Sequence, residues 1–207
     1  MKQPRPYKLL SVLLSYPDRR LADAHDEIAA AVDALARSPQ RAALRRFVSY
    51  LAANTQTELE RRYVETFDLR RRSGLYLSYY VHGDTRKRGM ALLRLKRLYA
   101  AAGLELTSGE LPDYLPLMLE FSALSSDGAG ELLLREHRPA LELLRHSLRD
   151  ADSPYADLID AICAGLPRLS ALEREHVRRL SEDGPPSEQV GLQPFAPREV
   201  VPTEARV

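Results

Sequence analysis

The run Leu115–Leu124 is apolar all round a helical wheel except at Glu120 and Ser122, and it limits the fold more than any other stretch. A helix with no polar face has to be surrounded, so this run predicts a central element against which the rest of the chain assembles. Two prolines four apart, Pro112 and Pro116, lie at its entrance. A helix cannot run through both unless Pro116 falls in the first turn, where no intrahelical donor is lost. Asp113 as N-cap would put Pro116 at the third helical position.

The surrounding chain also reads as helix. Residues 7–15 are apolar almost all round and are stopped by Pro17 and Asp18; 21–36 carries apolar positions at spacings of three and four. Ser38 and Pro39 make a clean start for a helix to Ala53 with a core face of Ala43, Phe47, Tyr50 and Leu51. Thr57 is the expected cap of a fourth helix, on which Leu59, Tyr63 and Phe67 share a face. An aromatic link over 75–80 follows, then a helix over 85–102 capped by Asp84 and stopped by a left-handed Gly103. After the central helix come one long helix over 130–149 with a bend at Pro139, a shorter one over 155–164 and a polar one over 168–180. No alternating run is long enough for a sheet and no repeat recurs. The fold class is therefore all-α, a single irregular helical bundle over 1–182. Residues 183–207, with Pro185, Pro186, Pro194, Pro197 and Pro202, read as an extended, flexible tail.

Composition narrows the function. The 207 residues suit one full core, and 30 basic against 29 acidic side chains leave no general attraction to nucleic acid or to an anionic membrane. No stretch approaches the roughly 20 apolar residues of a membrane span. The single cysteine, Cys163, excludes an internal disulfide framework and suits the cytoplasm.

Candidate catalytic and metal chemistry is sparse. Glu173 and His176 make a Glu-x-x-His pair, but a di-iron site needs a second such pair, and the neighbouring Arg174, Glu175, Arg178 and Arg179 describe a solvated face. His82-Gly83-Asp84 has the residue types of a metal phosphohydrolase pair, yet lacks further ligands and reads as a structural turn. Cys163 sits in an apolar run with no adjacent histidine and reads as an inert thiol. No catalytic residue and no metal site is expected; a helical metal-dependent hydrolase is the competing reading. Charge is more telling: nine bases between Arg70 and Arg97 face only Asp84, whereas 105–131 carries six acids and no base. Either the two blocks pair with each other, or the acidic turn beside an apolar helix holds a basic, partly apolar segment of another chain.

The motif His82-Gly83-Asp84-Thr85-Arg86-Lys87-Arg88-Gly89, followed by Glu110-Leu-Pro-Asp-Tyr-Leu-Pro-Leu117 and Leu119-Glu-Phe121, resembles the NarJ family of nitrate reductase assembly chaperones, within the wider TorD- and DmsD-like group. Tyr63-Val-Glu-Thr-Phe-Asp68 is similar to the same family, and the likeness extends over about 7–180. Thr85, Lys87 and Met90 stand where serine, an acid and glutamine are commoner. The resemblance implies an all-helical cytoplasmic protein without a catalytic site. It would bind the apo catalytic subunit of nitrate reductase, including its N-terminal peptide, and assist insertion of the molybdenum guanine dinucleotide cofactor and iron-sulfur cluster without holding the cofactor tightly itself. Another molybdoenzyme, recognised through its leader peptide, is the alternative partner. By motif match, His82, Gly83, Asp84, Arg86 and Gly89 of the first turn and Glu110, Pro112, Asp113, Tyr114 and Glu120 of the second would border the partner site, with Glu110, Asp113 and Glu120 reading its bases.

Overall fold

Helix α8 (Leu115–Leu124) takes the central position that its composition demands. The computed structural model describes residues 6–106, 109–125, 127–184 and 186, and among them every regular element is helical. Leu115, Met118 and Leu119 are fully buried. Helix α1 (Tyr7–Leu14) packs along α8, with the Ser11 hydroxyl donating to the Pro116 carbonyl at 2.8 Å, and α9 (Ala129–Glu136) packs against it as well. The two polar positions of α8 are both accommodated. Ser122 shares its hydroxyl proton between the carbonyls of Met118 at 2.7 Å and Gly130 at 3.0 Å. Glu120 lies at the rim, paired with Lys8 of α1. Gly130 is required by proximity: a Cβ there would stand 2.3 Å from the Ser122 Cα, so only glycine lets α9 approach this closely.

A second set of helices packs around aromatic side chains. Helix α4 (Pro39–Ala52) starts at the expected Ser38, whose hydroxyl accepts from the Arg41 amide, and packs against α3 (His25–Ala34) and α11 (Ala156–Ala164). Its buried face is Ala43, Leu44, Phe47, Val48 and Leu51, leaving Tyr50 half-buried at the edge. Helix α5 (Gln56–Tyr63) is capped by Thr55 rather than Thr57, because Glu58 completes a reciprocal capping box only with Thr55. A single π turn, Val64–Asp68, continues it and closes the Leu69 amide on the Val64 carbonyl at 3.1 Å. Tyr63 and Phe67 then stand 4.8 Å apart and both meet Tyr155, which Phe47 also reaches at 5.0 Å.

Several boundaries differ from the sequence expectation. The helix over 21–36 breaks at Ala24 into α2 (Arg19–Asp23), capped by Asp18, and α3. The supposed link over 75–80 contains a helix, α6 (Leu77–His82), whose start is held by pairing with the segment before α8. Helix α7 (Arg86–Ala101) is followed by Gly103 at φ +75°, as the sequence implied. The helix over 130–149 is two, α9 and α10 (Arg138–Asp150), since Pro139 can occupy only a first turn. Helix α12 (Ala171–Asp183) starts from a Ser170 and Glu173 capping box, so the carboxylate of the Glu-x-x-His pair serves the backbone. Most of the expected proline-rich tail lies outside the described residues.

Charged groups are buried at one joint. Arg138 and Glu142 of α10 are 8% and 3% exposed and bond at 2.8 Å, and Arg138 also donates to the Cys163 carbonyl at the end of α11 at 3.0 Å. The guanidinium thus adds a charged donor at the carbonyl end of α11, where the helix dipole favours a cation.

Leu119→Ala is expected to cost about 2–5 kcal/mol through the void it leaves in the centre. Gly130→Ala, which adds a methyl where none fits, is expected to cost about 1–3 kcal/mol. Urea denaturation of both variants checks this.

Candidate partner-binding site

The two sequence motifs meet at Asp113. The residue has no solvent exposure, and its Oδ2 accepts from the Ser78 amide at 3.2 Å and the Ser78 hydroxyl at 2.6 Å. Its carbonyl accepts from the Leu77 amide at 3.0 Å, while the Leu115 amide donates to the Leu75 carbonyl at 2.8 Å. These bonds join the entrances of α6 and α8 as a short antiparallel pair around Tyr76 and Tyr114. Arg88 of α7 closes the arrangement. Its guanidinium lies 3.4 Å from Asp84, 3.8 Å from Asp113 and 5.8 Å from the centre of the Tyr79 ring, and its Nε donates to the Ser78 hydroxyl at 3.3 Å.

This geometry corrects both capping assignments. The N-cap of α8 is Tyr114, which makes Pro116 the second helical residue, and Asp113 turns inward instead of capping. Thr85, not Asp84, is the N-cap of α7, and its hydroxyl donates to the His82 carbonyl at 2.8 Å; Asp84 pairs with Arg88 one turn on. The physical reason is shared. A carboxylate gains more from a guanidinium, or from two donors in a buried setting, than from one exposed helix amide.

The remaining motif residues occupy different surroundings. Gly83 ends α6 at φ +55°, and a Cβ on it would fall 1.7 Å from the Pro186 carbonyl oxygen, so both conformation and proximity require glycine. Gly89 and Arg86 are exposed, and a Cβ on Gly89 would meet nothing within 4 Å. Pro112 is buried, and its carbonyl accepts from the Tyr99 hydroxyl at 2.7 Å. Glu110 is exposed and accepts from the Tyr76 hydroxyl at 2.9 Å. Tyr114 is half-buried, its hydroxyl 3.2 Å from that of Tyr63. Glu120 stands apart, with Lys8. Of the three acids expected to read a partner, one is buried and one already has a base. Ser78 and Arg88, which connect the motifs, were not among the expected site residues; a buried serine carries no sequence signal, and Arg88 is one base among many in its block.

Other chemistry is subdued. No group of three or more His, Cys, Asp or Glu side chains is placed to hold a metal among the described residues. The Cys163 thiol is buried, which pushes its pKa up to about 12. A groove of about 710 Å³ runs between α6, α10 and α12, with Tyr79, Tyr80, Leu143 and Leu180 against Arg72 and His146. It shares no residue with the sequence motifs.

Fold and site together define a single-bundle all-α protein whose two turn motifs are fastened to each other around a buried carboxylate. The chain belongs to the nitrate reductase delta subunit family, whose model matches residues 25–161. It is 34% identical over 167 residues to the probable nitrate reductase molybdenum cofactor assembly chaperone NarJ of Bacillus subtilis, covering 81% of this chain and 91% of that protein. It is 36% identical over 156 residues to the nitrate reductase molybdenum cofactor assembly chaperone NarJ of Escherichia coli K12, covering 74% and 66%. The nitrate reductase-like protein NarX of Mycobacterium tuberculosis is 38% identical over 157 residues; the match covers 76% of this chain and only 24% of NarX, so the chain spans about a quarter of that longer protein.

Asp113→Ala would leave the Ser78 donors without their buried acceptor and is expected to cost about 3 kcal/mol in urea denaturation, against about 1 kcal/mol for Ser78→Ala. A second prediction concerns pH. Burial holds the His137 imidazole below its ordinary range, against the opposing pull of the Leu133 carbonyl, to which Nδ1 bonds at 2.9 Å, and of Glu136. The unfolded chain therefore binds this proton first, so the contribution is complete above about pH 6.5 and is lost as the pH falls below it. Stability is expected to drop as the pH is lowered below about 6.5, and His137→Gln should flatten that drop.

Proposed function

We propose that this protein is a system-specific assembly chaperone for a respiratory nitrate reductase. It binds the apo catalytic subunit in the cytoplasm, partly through that subunit's N-terminal segment. It keeps the subunit open to the molybdenum guanine dinucleotide cofactor and iron-sulfur cluster before the enzyme joins the membrane, acting by binding alone. The observation that carries this reading is the 34% identity to the B. subtilis chaperone over 91% of that protein's length. The acidic motif agrees with a basic partner segment, with Glu110 exposed to solvent and the turn around it held by Asp113. In the same reading His82, Gly83, Asp84, Arg86 and Gly89 border the partner on the α7 side. No helix among the described residues is long and apolar enough to cross a membrane, in keeping with a role before membrane assembly.

Calorimetry with the intact apo catalytic subunit tests the proposal. A dissociation constant in the micromolar range or tighter is expected for the apo subunit, and none measurable for the cofactor-loaded one. Absence of binding to the apo subunit would overturn the assignment; tighter binding to the leader peptide of a different molybdoenzyme would change the partner.

A further inference from the structure

A row of four tyrosines crosses the surface where α1, α5 and the segments before α6 and α8 meet. The Tyr16 ring stands edge-on to Tyr63 with centroids 5.4 Å apart, and the Tyr63 hydroxyl lies 3.2 Å from that of Tyr114. The Tyr114 ring is 5.4 Å from Tyr76, whose hydroxyl donates to Glu110. Tyr63 is the buried spine of the row and is fixed by donating to the Leu14 carbonyl at 3.2 Å. The others reach solvent: Tyr16 is 47% exposed, and Tyr76 and Tyr114 are half-buried. Leu111, next to Glu110 in the chain, adds an exposed apolar side chain.

Negative charge accompanies these rings. Glu110 acts on the phenols of Tyr76 and Tyr114, and Asp68 on those of Tyr63 and Tyr114. Both carboxylates are exposed, and neither forms an ion pair with a base among the described residues. Several other acids are taken up by bases: Glu120 by Lys8, Glu142 by Arg138 and Arg145, Glu175 by Arg178 and Arg179.

Ring faces carry a negative quadrupole, and a carboxylate offers two acceptor oxygens. A guanidinium answers both at once, its plane stacking on a ring while its donors meet the carboxylate; an ammonium can use the charge but does not stack. We propose that this acid-flanked tyrosine row docks an arginine-bearing segment of the partner, with a guanidinium over Tyr76 or Tyr114 beside Glu110 and an apolar side chain against the exposed ring of Tyr16. The inference rests on the chaperone reading and makes its partner site specific. It places the arginine contact apart from the turn at Gly83, which Pro186 of the same chain covers, and apart from Asp113 and Glu120, whose carboxylates are engaged.

The test uses the full chain and the N-terminal peptide of the catalytic subunit, made with its native sequence and with every arginine replaced by lysine. Both are titrated by calorimetry into wild type, Glu110→Gln, Asp68→Asn and Tyr16→Ser, all exposed substitutions, and into Glu175→Gln on remote α12 as control. Thermal melts establish that each variant is folded. The expected result is about fivefold or more weaker binding of the lysine peptide, a comparable loss for the native peptide in the three row variants, and no change in the control. Equal affinity for the two peptides, or wild-type affinity in all three row variants, would overturn the docking surface while leaving the chaperone reading intact. If the peptide fails to bind wild type but the apo subunit binds, the same variants titrated with the apo subunit decide by the same criterion. If neither binds, the chaperone reading itself falls.

Discussion

The buried carboxylate of Asp113 holds together the half of the molecule that carries the two turn motifs. Two donors from Ser78 and the nearby Arg88 guanidinium converge on it, and the backbone on either side pairs with the start of α6. Hydrogen bonds to a charged group contribute about 1.5–3 kcal/mol each, and the penalty for an unsatisfied buried donor comes on top when the acceptor is removed. An exposed pair such as Lys8 and Glu120, by contrast, contributes about 0–1 kcal/mol. The fastening of α6, α7 and α8 therefore depends on one interior acid more than on the many surface pairs. The orientations of Glu110, Tyr76 and Tyr114 follow from it.

The central helix imposes the other constraint. Because α8 has no polar face, α1 and α9 have to cover it, and its two polar side chains need local answers. Ser122 bonds the Met118 carbonyl of its own helix and reaches the Gly130 carbonyl only because Gly130 lets α9 come close. Glu120 escapes burial at the rim, where Lys8 meets it. The acids of the second motif are thereby divided: one stabilises the fold, one is neutralised at the edge, and Glu110 remains presented beside tyrosine faces. A surface that offers rings, an exposed apolar side chain and carboxylates without a basic partner suits the arginine-bearing segment proposed for it.

Much of the architecture was legible from local patterns. Ser38 with Pro39, Gly103 after α7 and the apolar run of α8 were each readable because the physical cause lies within a few residues of the effect: a hydroxyl beside an orphan amide, a left-handed turn, a face with no polar position. The misread points are of two kinds, local competitors and partners far along the chain. Thr57 looked like a cap, but Thr55 could pair with Glu58. The segment over 75–80 looked like a link, but its helix begins where residues some 35 positions later supply the pairing. Asp84 and Asp113 were both read as helix caps because acids before a helix usually are; Asp84 pairs instead with Arg88 one turn on, and Asp113 with Ser78 and Arg88, which no local rule selects.

By itself the sequence determined the all-helical class, the identity of the central helix, the concentration of special residues between His82 and Glu120, and the family to which these motifs belong. These are properties of composition and short-range spacing. Tertiary structure alone decided which charged groups are buried, which are paired and which remain available. That outcome depends on the distance between side chains far apart in the chain, and a carboxylate has the same sequence signature whether it faces a serine in the interior, a lysine at the rim or open solvent beside a tyrosine.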